Sequence, residues 1–375
     1  MKIALVAHWD WVLYHFRLPL AERLRSCGAE IYLVSPRGEY AAGLREAGFR
    51  WLEWKVERRG TNPVREMASV AQLTRLYRRE GLQAVHHFTV KPVLYGSVAA
   101  GYAGVPTTIN TFSGLGFLFS ESEKARAWRV LIQPLLRRML RRPSAWTIFQ
   151  NPADRDRLVR SRLAPDDRAV VIPGSGVDTR RFTPAEPAPA GDAPIVLMGA
   201  RLLWDKGVGE FVEAARLLRD KGVRARFLLA GRVDDGNPQA VSERSVEEWR
   251  REGVVEFLGH RDDMPVLLRQ AAVVALPSYH EGVPRFLLEA AATGLPIVAT
   301  DVEGCRAVVK SGGNGLLVPV RNAQALADAI GFLIADSGLR ARMGHASRQI
   351  ALERFDETTI LDQHEALYRR LGLVA

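Results

Sequence analysis

Only two cysteines, Cys27 and Cys305, occur in 375 residues, far apart and outside any metal-ligand spacing or disulfide framework. A reducing cytoplasm is therefore the expected compartment. No run of 18 apolar residues is present, so no membrane-spanning helix is expected. The first apolar stretch, residues 3–7, is too short for the hydrophobic region of a signal peptide, and export by that route is not expected. Zinc-finger, helix-turn-helix and RNA-binding signatures are also missing, which removes nucleic acid as an expected partner despite the net charge of +10. With 47% hydrophobic and 25% charged residues, global disorder is excluded. The charge is unevenly spread. Residues 1–182 hold 29 Lys and Arg against 16 Asp and Glu, whereas residues 183–375 hold 23 against 26. The basic excess sits entirely in the first half, where it suits an anionic substrate or anionic lipid.

What the chain does contain is a regular alternation of short apolar runs and helix-length amphipathic stretches, the pattern of parallel sheets covered by helices. Strands are expected at 2–7, 30–35, 84–88, 106–111 and 146–150, and again at 194–199, 226–230, 254–258, 273–277 and 296–300. Between the two sets, residues 183–194 read TPAEPAPAGDAP, too rich in Pro for a helix and too polar for a core strand. The length suits two domains. The expected fold is α/β, with two Rossmann-like, doubly wound domains facing each other across a cleft. Ligands would then sit at the C-terminal ends of the strands.

Two of those strand ends carry a constellation suited to a diphosphate. Strand 194–199 runs into Gly199-Ala200-Arg201-Leu202-Leu203-Trp204-Asp205-Lys206-Gly207, which brings out two cations before an amphipathic helix. Strand 273–277 runs into Ser278-Tyr279-His280-Glu281-Gly282-Val283-Pro284, where Pro284 suits the first turn of the next helix. The N–H groups and positive dipole end of such a helix accept an anion, and Arg201 and Lys206 would neutralise the remainder without a metal. Pro284 and Glu289 are five residues apart, about 7.5 Å along a helix, so one loop would reach both the phosphate and the ribose of a nucleotide.

With these residues in place, the chain resembles the retaining, nucleotide-sugar-dependent glycosyltransferases of family four, which have the GT-B fold. The likeness covers nearly the whole chain. Its most specific element is the pair Glu281 and Glu289 with seven residues between them, joined by Arg201 and Lys206. Further matches are Gly174-Ser175-Gly176-Val177-Asp178, Phe257-Leu258-Gly259-His260-Arg261-Asp262-Asp263-Met264 and Gly312-Gly313-Asn314-Gly315-Leu316-Leu317-Val318-Pro319. The resemblance implies an acceptor-binding domain at 1–182 and a donor-binding domain at 183–354, with a C-terminal helix, 355–375, crossing back onto the first. It also implies that Arg201 and Lys206 hold the diphosphate, that Glu281 contacts the transferred sugar and that Glu289 binds the ribose. Backbone at Gly282, Val283 and Pro284 would cap phosphate and sugar, and backbone near His260 and Arg261 would meet the base. No metal or other cofactor is implied, because the departing phosphate oxygen itself helps to deprotonate the acceptor hydroxyl.

In the first half, the stretch His8-Trp9-Asp10-Trp11 stands where many relatives have a Gly-rich turn. With Phe88-Thr89-Val90-Lys91, Ser113-Gly114-Leu115-Gly116 and Gln150-Asn151, it resembles the branch that extends lipid-linked or cell-surface glycans. The resemblance implies that Asp10, Lys91, Ser113, Gly114 and Gly116 face donor sugar or acceptor, although Lys91 is also read as a solvated cation. His86 and His87 are expected in the core or a cleft wall, with one of them pointing inward. Asp154-Arg155-Asp156 imitates a metal motif of another glycosyltransferase fold but falls at a helix start, where it is expected to cap. Across residues 121–142, Trp128, Leu131, Ile132, Leu135, Leu136, Met139 and Leu140 form an apolar stripe interrupted by Pro134, with Arg137, Arg138, Arg141 and Arg142 among the basic residues beside it. This helix is read either as a contact with anionic membrane or as an ordinary helix packed on its own sheet, and both hold if the arginines alone face lipid.

The expected activity is transfer of a hexose or N-acetylhexosamine from a nucleotide sugar, with uridine diphosphate as the expected carrier, to a polyprenyl-diphosphate-linked glycan. The enzyme is expected in the cytoplasm, peripheral on the inner face of the membrane. The alternatives are a GT-B epimerase or hydrolase and a non-enzymatic basic protein that binds membrane or nucleic acid.

Overall fold

In a computed structural model, all residues are described except 58, 59, 61, 116–122, 186–192 and 235, together with the side chains of 123–131. The chain forms two compact units, Met1–Ser175 with Ile360–Ala375, and Gly176–Thr359.

Unit 1 is built on seven strands: β1 Lys2–Val6, β2 Glu30–Ser35, β3 Arg50–Glu53, β4 Ala84–Phe88, β5 Thr107–Phe112, β6 Ala145–Phe149 and β7 Ala169–Val171. All neighbours are parallel, in the order β3-β2-β1-β4-β5-β6-β7. Both faces of this sheet are covered, so β1 reads as an apolar run after Lys2, with Ala4 on one face and Ile3 and Leu5 on the other, all fully buried. Turn chemistry sets the helix ends. Asn62 and Asn151 cap the helices Pro63–Glu80 and Pro152–Arg160 through their side-chain oxygens.

The cap of the second of these helices is thus Asn151 itself. Asp154, expected to do this, lies in the first turn, donates its amide to Asn151 Oδ1 and accepts from Asn151 Nδ2.

Unit 2 repeats the plan with β8 Ile195–Gly199, β9 Arg226–Ala230, β10 Glu256–Gly259, β11 Val273–Leu276, β12 Ile297–Thr300 and β13 Gly315–Val318. These are again parallel, in the order β10-β9-β8-β11-β12-β13. In each sheet the order reverses once, between β1 and β4 and between β8 and β11. Crevices at such switch points are where open α/β sheets take ligands.

The units part at 175/176 and 359/360, seven and five residues away from the boundaries expected at 182/183 and 354/355. Packing explains the difference. Val177, Phe182 and Phe355 are buried in the core of unit 2, and Arg348 donates to the carbonyls of Thr179 and Phe182. From Ile360 onward the C-terminal helix Glu357–Arg370 belongs to unit 1, where it buries Ile360, Leu367 and Tyr368 and pairs Asp362 and Glu365 with Arg23 at 3.0 and 2.9 Å.

Candidate active site

In unit 2, β8 and β11 deliver their loops to the switch point, and the backbone laces those loops together. Tyr279 N donates to Asp205 O at 2.8 Å. Gly207 has φ 74°, and a Cβ there would lie 2.2 Å from Pro277 O. Only glycine satisfies both the left-handed conformation and this approach. Through this lacing Lys206 Nζ meets Glu281 Oε1 at 2.6 Å, with side chains only 18% and 13% exposed. The sequence nominated both residues from strand ends 75 positions apart, and the fold brings them into one ion pair.

Arg201, which leaves the same strand as Lys206, pairs with Asp234 at 2.6 Å and remains 44% exposed. Asp234 was not foreseen, since nothing in its sequence context marks it. A second unforeseen group braces the loop. Tyr279 donates its hydroxyl to Glu210 Oε1 at 2.5 Å, and the Arg321 guanidinium lies 4.8 Å from the ring centre. Burial and the Glu210 bond push the Tyr279 hydroxyl up to about 12, so it stays protonated and keeps donating.

The helix after this loop is Arg285–Ala292, with Pro284 at its N-cap, one position before the expected first-turn place. It has neither a side-chain cap bond nor an acidic residue in its first turn. Gly304 packs against the loop from behind, since a Cβ there would come within 2.3 Å of Gly282 O and 2.5 Å of Glu281 O. Glu289 lies one turn along from Arg285 and pairs with it at 3.0 Å, with the carboxylate side chain 14% exposed. Burial raises the Glu289 pKa, while Arg285 pulls in the other direction. His260 and Arg261 follow β10. Their side chains turn to Asp262 at 3.2 Å and Asp263 at 2.6 Å.

In unit 1 the nominated residues divide. Asp10, expected to face sugar, is 1% exposed and accepts from Tyr40 N and Trp11 N at 2.8 and 2.9 Å. It anchors a turn. Lys91, read as sugar-facing or solvated, is not a solvated cation: its ammonium donates to Glu66 Oε1 at 2.8 Å and to the carbonyls of Glu57 and Gly60. Both side chains are thus engaged within unit 1. Ser113 is exposed after β5, and Gly114 has φ 97°. Gly116 lies outside the described residues.

His86 and His87 are both fully buried, because the sheet is covered on both faces rather than one. His86 contacts Tyr368 and Thr111, and His87 contacts Tyr77 and Asn110. Desolvation lowers His86 well below its ordinary value and His87 to about 4, so both stand neutral in the core.

The basic helix spans Glu123–Leu140 with Pro134 inside it. Leu136, Met139 and Leu140 are buried, Leu136 and Leu140 in a cluster with Phe112 and Phe149, while Leu135 is 43% exposed and leaves the stripe. Arg137, Arg138 and Arg141 are exposed, and Arg142 is half-buried against Gly101. The side chain of Trp128 lies outside the described residues. No helix among the described residues is long and apolar enough to cross a membrane.

Two family profiles divide the chain, "Glycosyl transferase 4-like" over residues 2–151 and "Glycosyl transferases group 1" over 179–350. The chain is 31% identical, over 99% of both proteins, to the N,N'-diacetylbacillosaminyl-diphospho-undecaprenol alpha-1,3-N-acetylgalactosaminyltransferase of Campylobacter jejuni. It is 25% identical to the UDP-Gal:alpha-D-GlcNAc-diphosphoundecaprenol alpha-1,3-galactosyltransferase of Escherichia coli, over 83% of this chain and 81% of that one. Among solved structures, sucrose-phosphate synthase of Thermosynechococcus elongatus superposes with a TM-score of 0.81 at 22% identity, over 99% of each chain. Anabaena HepE in complex with UDP-glucose does so with a TM-score of 0.77 at 21% identity, over 98% of this chain and 100% of that one. Two parallel-sheet units, the paired Lys206 and Glu281, and a full-length relative of 31% identity lead to one assignment: this chain belongs to the family-four glycosyltransferases of GT-B fold.

Proposed function

We propose that the enzyme is a retaining transferase that moves a hexose or N-acetylhexosamine from a uridine diphosphate sugar to a polyprenyl-diphosphate-linked glycan. The observation that carries this reading is the Lys206–Glu281 pair at the switch point of unit 2, beside the N-terminus of the helix Arg285–Ala292. An incoming diphosphate competes for Lys206 and Arg201, and its negative charge replaces Glu281 and Asp234 as their partners. Glu281, released, accepts from hydroxyls of the donor sugar. Backbone N–H groups at Gly282, Val283 and the helix start meet phosphate with the positive end of the helix dipole. Glu289, ionised, accepts from the ribose hydroxyls, and the backbone at His260 and Arg261 borders the base. As the donor bond breaks, charge builds on the leaving phosphate, so Lys206 and Arg201 act most strongly in the transition state.

Both undecaprenol-linked relatives act on diphosphate-linked acceptors by name, which supports the same acceptor class here. An anionic membrane surface suits the exposed guanidinium groups of Arg137, Arg138 and Arg141, and the enzyme then works peripherally on the cytoplasmic face.

Thermal melting with a panel of nucleotides and nucleotide sugars, with and without chelator, tests the donor assignment. Uridine diphosphate and its sugars are expected to raise the melting temperature equally in both conditions, because a ligand of the native state stabilises it. No shift with any nucleotide overturns the reading.

A further inference from the structure

The loop 277–284 carries Glu281 from β11 to the helix Arg285–Ala292. Its backbone is held in three places: Tyr279 N donates to Asp205 O at 2.8 Å, the Thr300 hydroxyl donates to Ser278 O, and Gly304 leaves no room behind Glu281 and Gly282. Tyr279, two residues before Glu281, adds a link through its side chain. Its hydroxyl donates to Oε1 of Glu210 at 2.5 Å, and Glu210 stands in the first turn of the helix Val208–Asp220, four residues after Lys206. Against the ring lies the guanidinium of Arg321, 4.8 Å from its centre. Arg321 has φ 57°, a left-handed backbone that a residue with a side chain keeps where its surroundings hold it. The next residue, Asn322, caps the helix Ala323–Ala335 by accepting from Ala325 N at 2.9 Å, which fixes that turn.

Two side-chain bonds therefore join the segments that follow β8 and β11, Lys206 with Glu281 at 2.6 Å and Glu210 with Tyr279 at 2.5 Å. A donor acts on them differently. The diphosphate takes Lys206 and leaves Glu281 without its ionic partner, whereas neither Glu210 nor Tyr279 belongs to the groups that meet phosphate. Burial, and then the bond to Glu210, push the Tyr279 hydroxyl up to about 12, so it donates at any pH near neutrality. The second bond is thus the one that persists while a donor is bound. A carboxylate that has to meet sugar hydroxyls needs its loop held to within about 0.5 Å, and hydrogen bonds behind the contacting residue supply that restraint.

We propose that Tyr279, through its bond to Glu210, holds Glu281 against the donor sugar after the diphosphate has drawn Lys206 away. This rests on the reading of the chain as a transferase from a uridine diphosphate sugar. Tyr279 is a positioning residue, since its hydroxyl is taken by Glu210 and its ring by Arg321. The bond then matters to the sugar end of the donor and not to the nucleotide end. Uridine diphosphate alone presents no sugar to Glu281 and is held by Lys206, Arg201 and the helix start, so it serves as an internal reference.

Calorimetric binding to the full chain tests this, with uridine diphosphate and with its glucose, galactose, N-acetylglucosamine and N-acetylgalactosamine derivatives as probes. In Tyr279→Phe, the sugar nucleotide that binds the unsubstituted protein most tightly is expected to lose about tenfold in affinity, while uridine diphosphate stays within about twofold. Glu210→Ala is expected to reproduce that split, and the double variant to be no weaker than either single one, because both remove the same bond. Glu210→Gln, whose amide oxygen still accepts, is expected to regain most of the loss. Unchanged affinity for the sugar nucleotide in Tyr279→Phe overturns the proposal, as do additive losses in the double variant or Glu210→Gln no better than Glu210→Ala. Equal weakening of sugar nucleotide and uridine diphosphate also overturns it, since a bond that only stabilises the fold acts on both ligands alike. Absence of binding by every uridine nucleotide in the unsubstituted protein instead overturns the donor assignment, and this role of Tyr279 with it.

Discussion

The two units share a sheet plan and differ in what they place at its switch point. In unit 2 the loops after β8 and β11 meet through opposite charges, Lys206 with Glu281. In unit 1 the loops after β1 and β4 meet through an imidazole and a hydroxyl, His8 with Thr89, flanked by indole rings. Parallel-sheet topology supplies the same crevice twice, and the side chains decide which ligand suits it. Charges of the kind gathered in unit 2 suit a diphosphate.

Removing the charge from unit 2 has the largest expected effect. Lys206→Ala and Arg201→Ala should each lower kcat on the order of a hundredfold, with a smaller change in nucleotide affinity, because the charge counts most as phosphate departs. Steady-state kinetics at saturating donor measures this, and unchanged turnover in both variants would break the contrast between the units. A smaller effect is expected at Glu289, where Glu289→Gln should weaken uridine diphosphate binding about tenfold. Because burial raises the pKa of Glu289, donor affinity in the unsubstituted enzyme should begin to fall above the ordinary carboxylate range as the medium is acidified. Calorimetry across pH would show this, and a decline only near the pKa of an exposed Glu would remove Glu289 from the ribose.

Acid should also separate the units. Unit 1 contains the buried His86, His87 and His364, whereas His260, His280 and His345 of unit 2 are exposed. Desolvation lowers His87 to about 4 and His364 to about 3, from an ordinary 6.5. The unfolded chain therefore binds more protons in that interval, so their contribution is fully present above about 6.5 and is lost as pH falls through the depressed values. Hydrogen exchange from pH 7 to 4.5 should show protection in β4 and the C-terminal helix falling before protection in β8 and β11. Simultaneous loss would contradict it.

The smallest effect is expected at Thr89, which has φ 74° and ψ 165°. Changing it to Gly relieves strain of about 1–3 kcal/mol. That relief offsets a lost hydrogen bond of about 1 kcal/mol and added freedom of the unfolded chain of about 0.5–1 kcal/mol. The melting temperature should therefore stay within about 4 °C of the parent. A larger drop would mean that the conformation is not strained.

Much of the fold was legible because parallel strands buried on both faces tend to be apolar along their length, and 3–7 and 273–277 show this. Lys206 and Glu281 stood out in the sequence as strand-end residues and Glu289 by its reach along a helix, while the role of Glu281 is what the family resemblance implies. Asp234, Glu210 and Arg321 were not, because their roles exist only through contacts with Arg201 and Tyr279. The partners of Asp10 and Lys91 were not legible for the same reason. Tyr40 N and Glu66 are brought to them by the fold.

By itself the sequence determined the alternation of strand and helix, the two-unit plan, the uneven charge and the strand ends that carry cations and carboxylates, all of which depend on local pattern. Only the tertiary structure decided which partner each of those groups takes within the protein. That choice depends on pairing between loops distant in sequence, as when a strained Thr89 turns its hydroxyl to His8 while Lys91, two positions on, is taken up by Glu66. Spacing along a chain fixes reach within one element, and partners across elements are set by how the sheet brings its strands side by side.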